Sequence, residues 1–160
     1  FFSSANQDAR LRNSTGFLEY LNSVTGKSIM STAPFKTDFR KYDVCLTYND
    51  FTKKVKLYVD GIAQGEVIET AALDNQRLIF GGGQDPAFNA KNAEYNELLI
   101  YRVPLNDDEV LQLSRGNYMK SGLELYSPLN EINVRKDGEF TSYAPTNSYL
   151  KINTSDLSKV

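Results

Sequence analysis

Lys54-Val55-Lys56-Leu57-Tyr58-Val59-Asp60-Gly61 is the stretch whose reading decides the fold. Val55, Leu57 and Val59 alternate with Lys54, Lys56 and Tyr58, and a period of two is the mark of a strand with one face turned to a core. Asp60-Gly61 follows at once. A two-residue type I′ hairpin needs positive φ at both central positions, which Asp-Gly supplies well, so a return strand is expected over about 62–68. Working backwards, Tyr42, Val44, Leu46 and Tyr48 alternate with Asp43, Cys45 and Thr47, which adds a preceding strand.

Further along the chain the same punctuation continues. A strand over 76–80 ends in Gly81-Gly82-Gly83, and others are expected over 93–103, 123–126 and 149–152. The segments 17–21 and 28–31 also read as strands, with register left open by Gly16 and Gly26. One helix stands out. Asn106 precedes Glu109 by three residues in a capping-box pattern, and Asp107 and Asp108 suit the positive end of a helix dipole. Val110, Leu111 and Leu113 form the apolar stripe, and Arg115-Gly116 supplies a basic last turn and a glycine stop. Many short strands with turns every eight to twelve residues and one short helix near 106–115 predict an all-β fold, a β-sandwich or a jelly roll.

Composition narrows the chemistry. The 160 residues carry 18 basic and 20 acidic side chains, a formal charge of −2. A sequence-blind nucleic-acid binder needs a basic field to release phosphate counterions, so nucleic acid is not an expected partner. Histidine is absent, which removes Ser-His-Asp and Cys-His catalysis and histidine-ligated metals. The single cysteine, Cys45, allows no internal disulfide and no thiolate zinc cage, and its place in an apolar run reads as an inert buried thiol. No run of apolar residues is long enough for a transmembrane segment. The chain opens on Phe1-Phe2 with no Met and no basic-then-apolar leader, and so reads as a piece of something longer.

The segments Tyr42-Asp43-Val44-Cys45-Leu46-Thr47-Tyr48-Asn49-Asp50 and Val55-Lys56-Leu57-Tyr58-Val59-Asp60-Gly61 together resemble the W-x-x-V-A-L-T-Y-D-G … K-L-Y-V-D-G hallmark of bacterial laminin G-like domains, members of the concanavalin A-like lectin/glucanase superfamily. The resemblance continues in order. Leu78-Ile79-Phe80-Gly81-Gly82-Gly83 is similar to the family's L-x-I-G-G strand end. Phe88-Asn89-Ala90 with 95–102 is similar to F-x-G-x-I-D-E-V-R-I-Y, and 104–110 resembles the A-L-S-D-E-E-I that opens a short closing helix. Departures are visible too. Tyr42 stands where the family has Trp, Asn96 where it has Asp, and 41 residues before the first motif imply a short or missing front to the sandwich. The resemblance implies an all-β, concanavalin A-like jelly-roll sandwich of two antiparallel sheets over 1–122, with core motifs in 42–115. Residues 123–160 form a tail that either completes the sandwich edge or begins a following module.

Glucanases on this fold use carboxylates spaced so that acid and nucleophile share one strand face, about 5 Å apart. Glu94 and Glu97, like Glu66 and Glu69, are three residues apart and would point to opposite faces of an extended chain. Asp107-Asp108-Glu109 is explained by capping, and Gly81-Gly82-Gly83 lacks the Lys-Ser/Thr and helix of a phosphate loop. The expectation is therefore a chain with no catalytic residues. The resemblance implies instead a non-catalytic carbohydrate-binding accessory module of a larger bacterial glycan-processing protein. It would be secreted, periplasmic or on the cell surface, with a glycan or polysaccharide and neighbouring domains of the parent chain as partners. Sugar sites combine an aromatic face with planar polar groups, and Gln84, Asp85, Phe88 and Asn89 bring these into one loop. Oxygen-bearing loops of this kind also hold calcium, with Asp50 and Asp85 as candidate ligands. The alternative is a structural, adhesive or protein–protein interaction module with no sugar site, which the absence of Trp favours.

Overall fold

The computed structural model of the chain describes residues 2–4, 9–35, 40–70, 78–80, 95–128, 139–140 and 150–151. The chain divides into two compact units, Phe1–Ala93 with Pro104–Asn117, and Glu94–Val103 with Tyr118–Val160.

In the first unit, β5 (Val44–Asn49), β6 (Lys54–Val59) and β7 (Ile62–Ile68) form a three-stranded antiparallel sheet in chain order. Asp60 and Gly61 take φ of 52° and 77°, the positive values that the two-residue turn demands. Leu57 pairs with Gly65 and Tyr58 with Ala63, so Gln64 is the extra residue of a bulge. Its Oε1 accepts from the backbone N–H and the hydroxyl of Thr32, both at 2.9 Å.

A five-stranded antiparallel sheet faces it. Its strands are β1 (Phe2–Ser4), β2 (Ala9–Ser14), β3 (Phe17–Asn22), β4 (Lys27–Met30) and β8 (Leu78–Phe80), in the order β4-β3-β2-β1-β8. Four strands thus precede β5, where the sequence predicts a short or missing front. Thr15-Gly16 closes β2 onto β3 with φ of 51° and 90°, the same two-residue turn written with a less usual first residue. Ala9 and Leu11 of β2, Leu18 and Tyr20 of β3 and Ile29 of β4 pack against Val55 and Leu57 of β6. Removing Leu18, Val55 and Leu57 wholly from water stabilises the sandwich by about 1.5–3 kcal/mol for each side chain. The chain is an all-β sandwich of antiparallel sheets.

One helix, α1 (Asp107–Ser114), is found among the described residues. Its start is the expected capping box. Asn106 Oδ1 accepts from Glu109 N–H at 2.9 Å, and Glu109 Oε2 accepts from Asn106 N–H at 2.8 Å. The basic last turn expected from Arg115 is not there, because Arg115 is already the C-cap. The end is a Schellman motif instead. Gly116 at φ 82° donates to Leu113 O, and Asn117 N–H reaches Gln112 O.

In the second unit β9 (Glu97–Tyr101) pairs antiparallel with β10 (Leu123–Pro128), and β11 (Glu139–Phe140) with β12 (Leu150–Lys151). Arg102 forms an ion pair with Glu124, the Tyr101 hydroxyl donates to Met119 O at 3.0 Å, and the Tyr118 and Tyr126 rings meet at 5.5 Å. No helix among the described residues is long and apolar enough to cross a membrane.

Candidate functional site

Strand parity sends Val55, Leu57 and Val59 inward and leaves Lys54, Lys56 and Tyr58 on the outer face of the three-stranded sheet, opposite Asn49, Thr47 and Cys45 of β5. This outer face is not simply open to water. The segment Pro104–Asp108 leads into α1 beside it, and Tyr58 is only 1% exposed. Between them runs a groove of about 720 Å³. One wall carries Thr47, Asn49 and Thr52 with the side chains of β6, and the other is the helix entry.

Asp107 latches the two walls together. One of its oxygens, Oδ1, accepts from Lys56 Nζ at 2.8 Å and from the Tyr58 hydroxyl at 2.7 Å. The lysine, then the phenol, hold the Asp107 carboxyl below its ordinary range. Burial, then the hydrogen bond to this carboxylate, raise the Tyr58 phenol well above its ordinary value. Asp107 is therefore more than a helix-dipole residue. Lys54 is matched as well, with Glu66 Oε1 at 2.7 Å, while Glu66 Oε2 stands 3.9 Å from Lys56. Cys45 lies on this outer face, half-buried and paired with Tyr58. Burial pushes its thiol up to about 12, so it stays protonated at neutral pH.

The other end of β5 carries the turn to β6. Asn49 Oδ1 accepts from Phe51 and Thr52 N–H, both at 3.0 Å. Asp50 Oδ1 accepts from the Tyr48 hydroxyl at 3.0 Å and from Lys53 Nζ at 2.6 Å, and these contacts lower its carboxyl and raise the Lys53 ammonium. Phe51, at the tip, is 97% exposed.

Of the residues that sequence singles out for sugar or calcium, Asp50 stands in this turn. Gln84, Asp85, Phe88 and Asn89 lie outside the described residues, as do Glu94 and the Gly81–Gly83 run. Glu66 and Glu69 do part company, as their spacing requires. Glu66 meets lysines on the outer face, whereas Glu69 is 2% exposed and accepts from the Tyr20 and Thr25 hydroxyls at 2.6 and 2.7 Å. Glu97 accepts from the Tyr118 hydroxyl at 2.6 Å. Among the described residues no three acidic or cysteine side chains are grouped to hold a metal ion. Sequence reasoning misses Phe51 and the Asp107 latch. Asn49-Asp50 at a strand end is a turn signal that could have marked the first.

No protein-family model matches the chain, and no curated protein matches it. Among solved structures it is similar to one from Bacteroides ovatus ATCC 8483 described as a "putative carbohydrate binding protein". The TM-score is 0.70 at 19% identity, covering 94% of this chain and 47% of that one. The chain spans about half the length of that neighbour, and the likeness shows a shared fold. An S-layer domain-containing protein from Clostridium thermocellum ATCC 27405 aligns with a TM-score of 0.43 at 18% identity, over 71% of this chain and 61% of that one.

Proposed function

We propose that the chain is a non-catalytic carbohydrate-binding module of the laminin G-like type, part of a larger bacterial protein that is secreted, periplasmic or on the cell surface. The observation that carries the reading is the groove on the outer sheet face. Hydroxyl, amide, ammonium and carboxylate groups converge there on a scaffold fixed by the Asp107 latch, which is the chemistry that pairs with sugar hydroxyls. The fold likeness to a protein described as carbohydrate binding supports it. The splayed Glu66 and Glu69 support the non-catalytic part, since a retaining pair must converge to about 5 Å. The loop residues Gln84, Asp85, Phe88 and Asn89 are carried in the proposal as a second set of sugar contacts. Asp50, which accepts from the Lys53 ammonium and the Tyr48 hydroxyl, and Asp85 are carried likewise as candidate calcium ligands. In this reading 1–122 is the sandwich, and 123–160 is a tail that either completes its edge or begins a following module.

Affinity electrophoresis of the chain through gels cast with a panel of polysaccharides tests the proposal, with Lys56→Met, Asp85→Ala and Phe88→Ala alongside. Retardation by one or more polysaccharides, weakened by Lys56→Met, is expected, with no release of reducing sugar. Passage through every gel without retardation overturns the sugar reading and leaves a structural or protein-interaction module. Release of reducing sugar overturns the non-catalytic part.

A further inference from the structure

We propose that Phe51 is the stacking platform of this module and that its ligand is a neutral polysaccharide, seated on the ring and running into the adjoining groove. The inference rests on the carbohydrate-binding reading above and adds a location and a ligand class. The ring is 97% exposed, yet the backbone beneath it is tightly held. Asn49 Oδ1 caps two successive amides of the turn, and Asp50 ties down the Tyr48 hydroxyl and the Lys53 ammonium.

The turn itself does not require an aromatic. The β3–β4 turn has the same build, with Asn22 Oδ1 accepting from Val24 and Thr25 N–H and with Gly26 at positive φ where Lys53 stands here. At the position equivalent to Phe51 that turn holds Val24, also exposed. What distinguishes the two tips is the surroundings. Asn49 and Thr52, on either side of Asp50-Phe51, line the groove. An aromatic face for pyranose C–H groups thus stands in the same turn as polar groups for the hydroxyls.

Charge sets the ligand class. An acidic polysaccharide is held best by surplus positive charge, through charge-assisted hydrogen bonds from cations not already neutralised. Both lysines of the groove are engaged, Lys54 with Glu66 and Lys56 with Asp107, and the helix entry adds Asp108. The groove offers hydrogen bonds without surplus positive charge.

Affinity electrophoresis with laminarin, arabinoxylan and galactomannan as neutral probes and polygalacturonate as the acidic one tests this. Retardation by a neutral probe is expected, with Phe51→Ala weakening it about three- to tenfold, the range of an aromatic contact. Phe51→Trp should keep it and Val24→Ala should leave it unchanged. Phe51→Ala is expected to keep the wild-type melting temperature, since the ring touches little but solvent. A retarded wild type with an equally retarded Phe51→Ala overturns the platform and spares the sugar reading. Retardation by polygalacturonate alone overturns the ligand class. If no probe retards the wild type, and sedimentation shows self-association that Phe51→Ala abolishes, the ring is a protein contact and both readings fall. Absence of retardation without self-association also overturns both.

Discussion

The hydroxyl of Tyr20 and the carboxylate of Glu69 meet at 2.6 Å, both sealed from solvent, and join β3 of one sheet to the residue that follows β7 of the other. Among the described residues no cation pairs with Glu69. Hydroxyls of Tyr20 and Thr25 take up its oxygens, and its own N–H donates to Lys53 O at 2.8 Å.

A buried carboxylate that loses its fully buried donor is left with an unmet desolvation cost. Tyr20→Phe is therefore expected to destabilise the chain by about 1.5–3 kcal/mol, the range for hydrogen bonds to charged groups. Urea unfolding checks it, with Thr25→Ala smaller because the Thr25 side chain is partly solvated.

Alkaline pH should reveal the buried phenols. Burial raises Tyr20 and Tyr58 above the ordinary 10.0, reinforced by hydrogen bonds to Glu69 and Asp107. In the unfolded chain these tyrosines ionise near 10, while in the folded chain they keep their protons. Their contribution is thus complete below about pH 10 and declines as pH rises beyond it. Urea titrations between about pH 8 and about pH 11 should show this decline, and Tyr58→Phe should flatten it. At the acid end the sign reverses. Asp107, lowered by Lys56 and Tyr58, contributes above its unfolded value of 3.8 and loses that contribution as pH falls through its folded value.

Thr15 sits at φ 51° in the first position of a turn that favours Asn or Asp. Thr15→Asn should raise stability by about 0.5–1 kcal/mol, since a β-branched residue is strained there and Asn is not. Its only described hydrogen bond is to the carbonyl next door, Ser14 O, so little is lost. Thermal melting gives the answer directly.

The helix start offers a further measurement. Asn106→Ala removes the acceptor for Glu109 N–H and should cost about 1 kcal/mol. Because Asp107 is the next residue, the change should also loosen the groove wall. Faster amide exchange at 107–110 would register that loosening.

Strands β6 and β7 are legible in the sequence because alternation and the Asp60-Gly61 turn say the same thing, and α1 because cap, stripe and stop agree. β2 is harder to see. Ala9 and Leu11 do alternate with Arg10 and Arg12, but the turn that closes the hairpin starts with Thr rather than Asn or Asp. The burial of Glu69 and Tyr58 is not legible at all. Glu69 depends on Tyr20 and Tyr58 on Asp107, each 49 residues away, and local pattern carries no information at that separation. Asp107 looks complete as a capping residue, which hides its second role. Phe51 is a lone aromatic in a polar turn, with no periodic partner to mark it, and the Gln84–Asn89 loop falls outside the described residues.

The matched lysines also bear on how a ligand of the proposed kind would arrive. With Lys54 and Lys56 each cancelled by a neighbouring carboxylate, this face projects little long-range field to steer an incoming molecule. Encounter then proceeds by undirected diffusion, at the roughly 10⁵–10⁶ M⁻¹s⁻¹ of unsteered partners. Under the proposed function, dwell time rather than speed of capture would set the affinity.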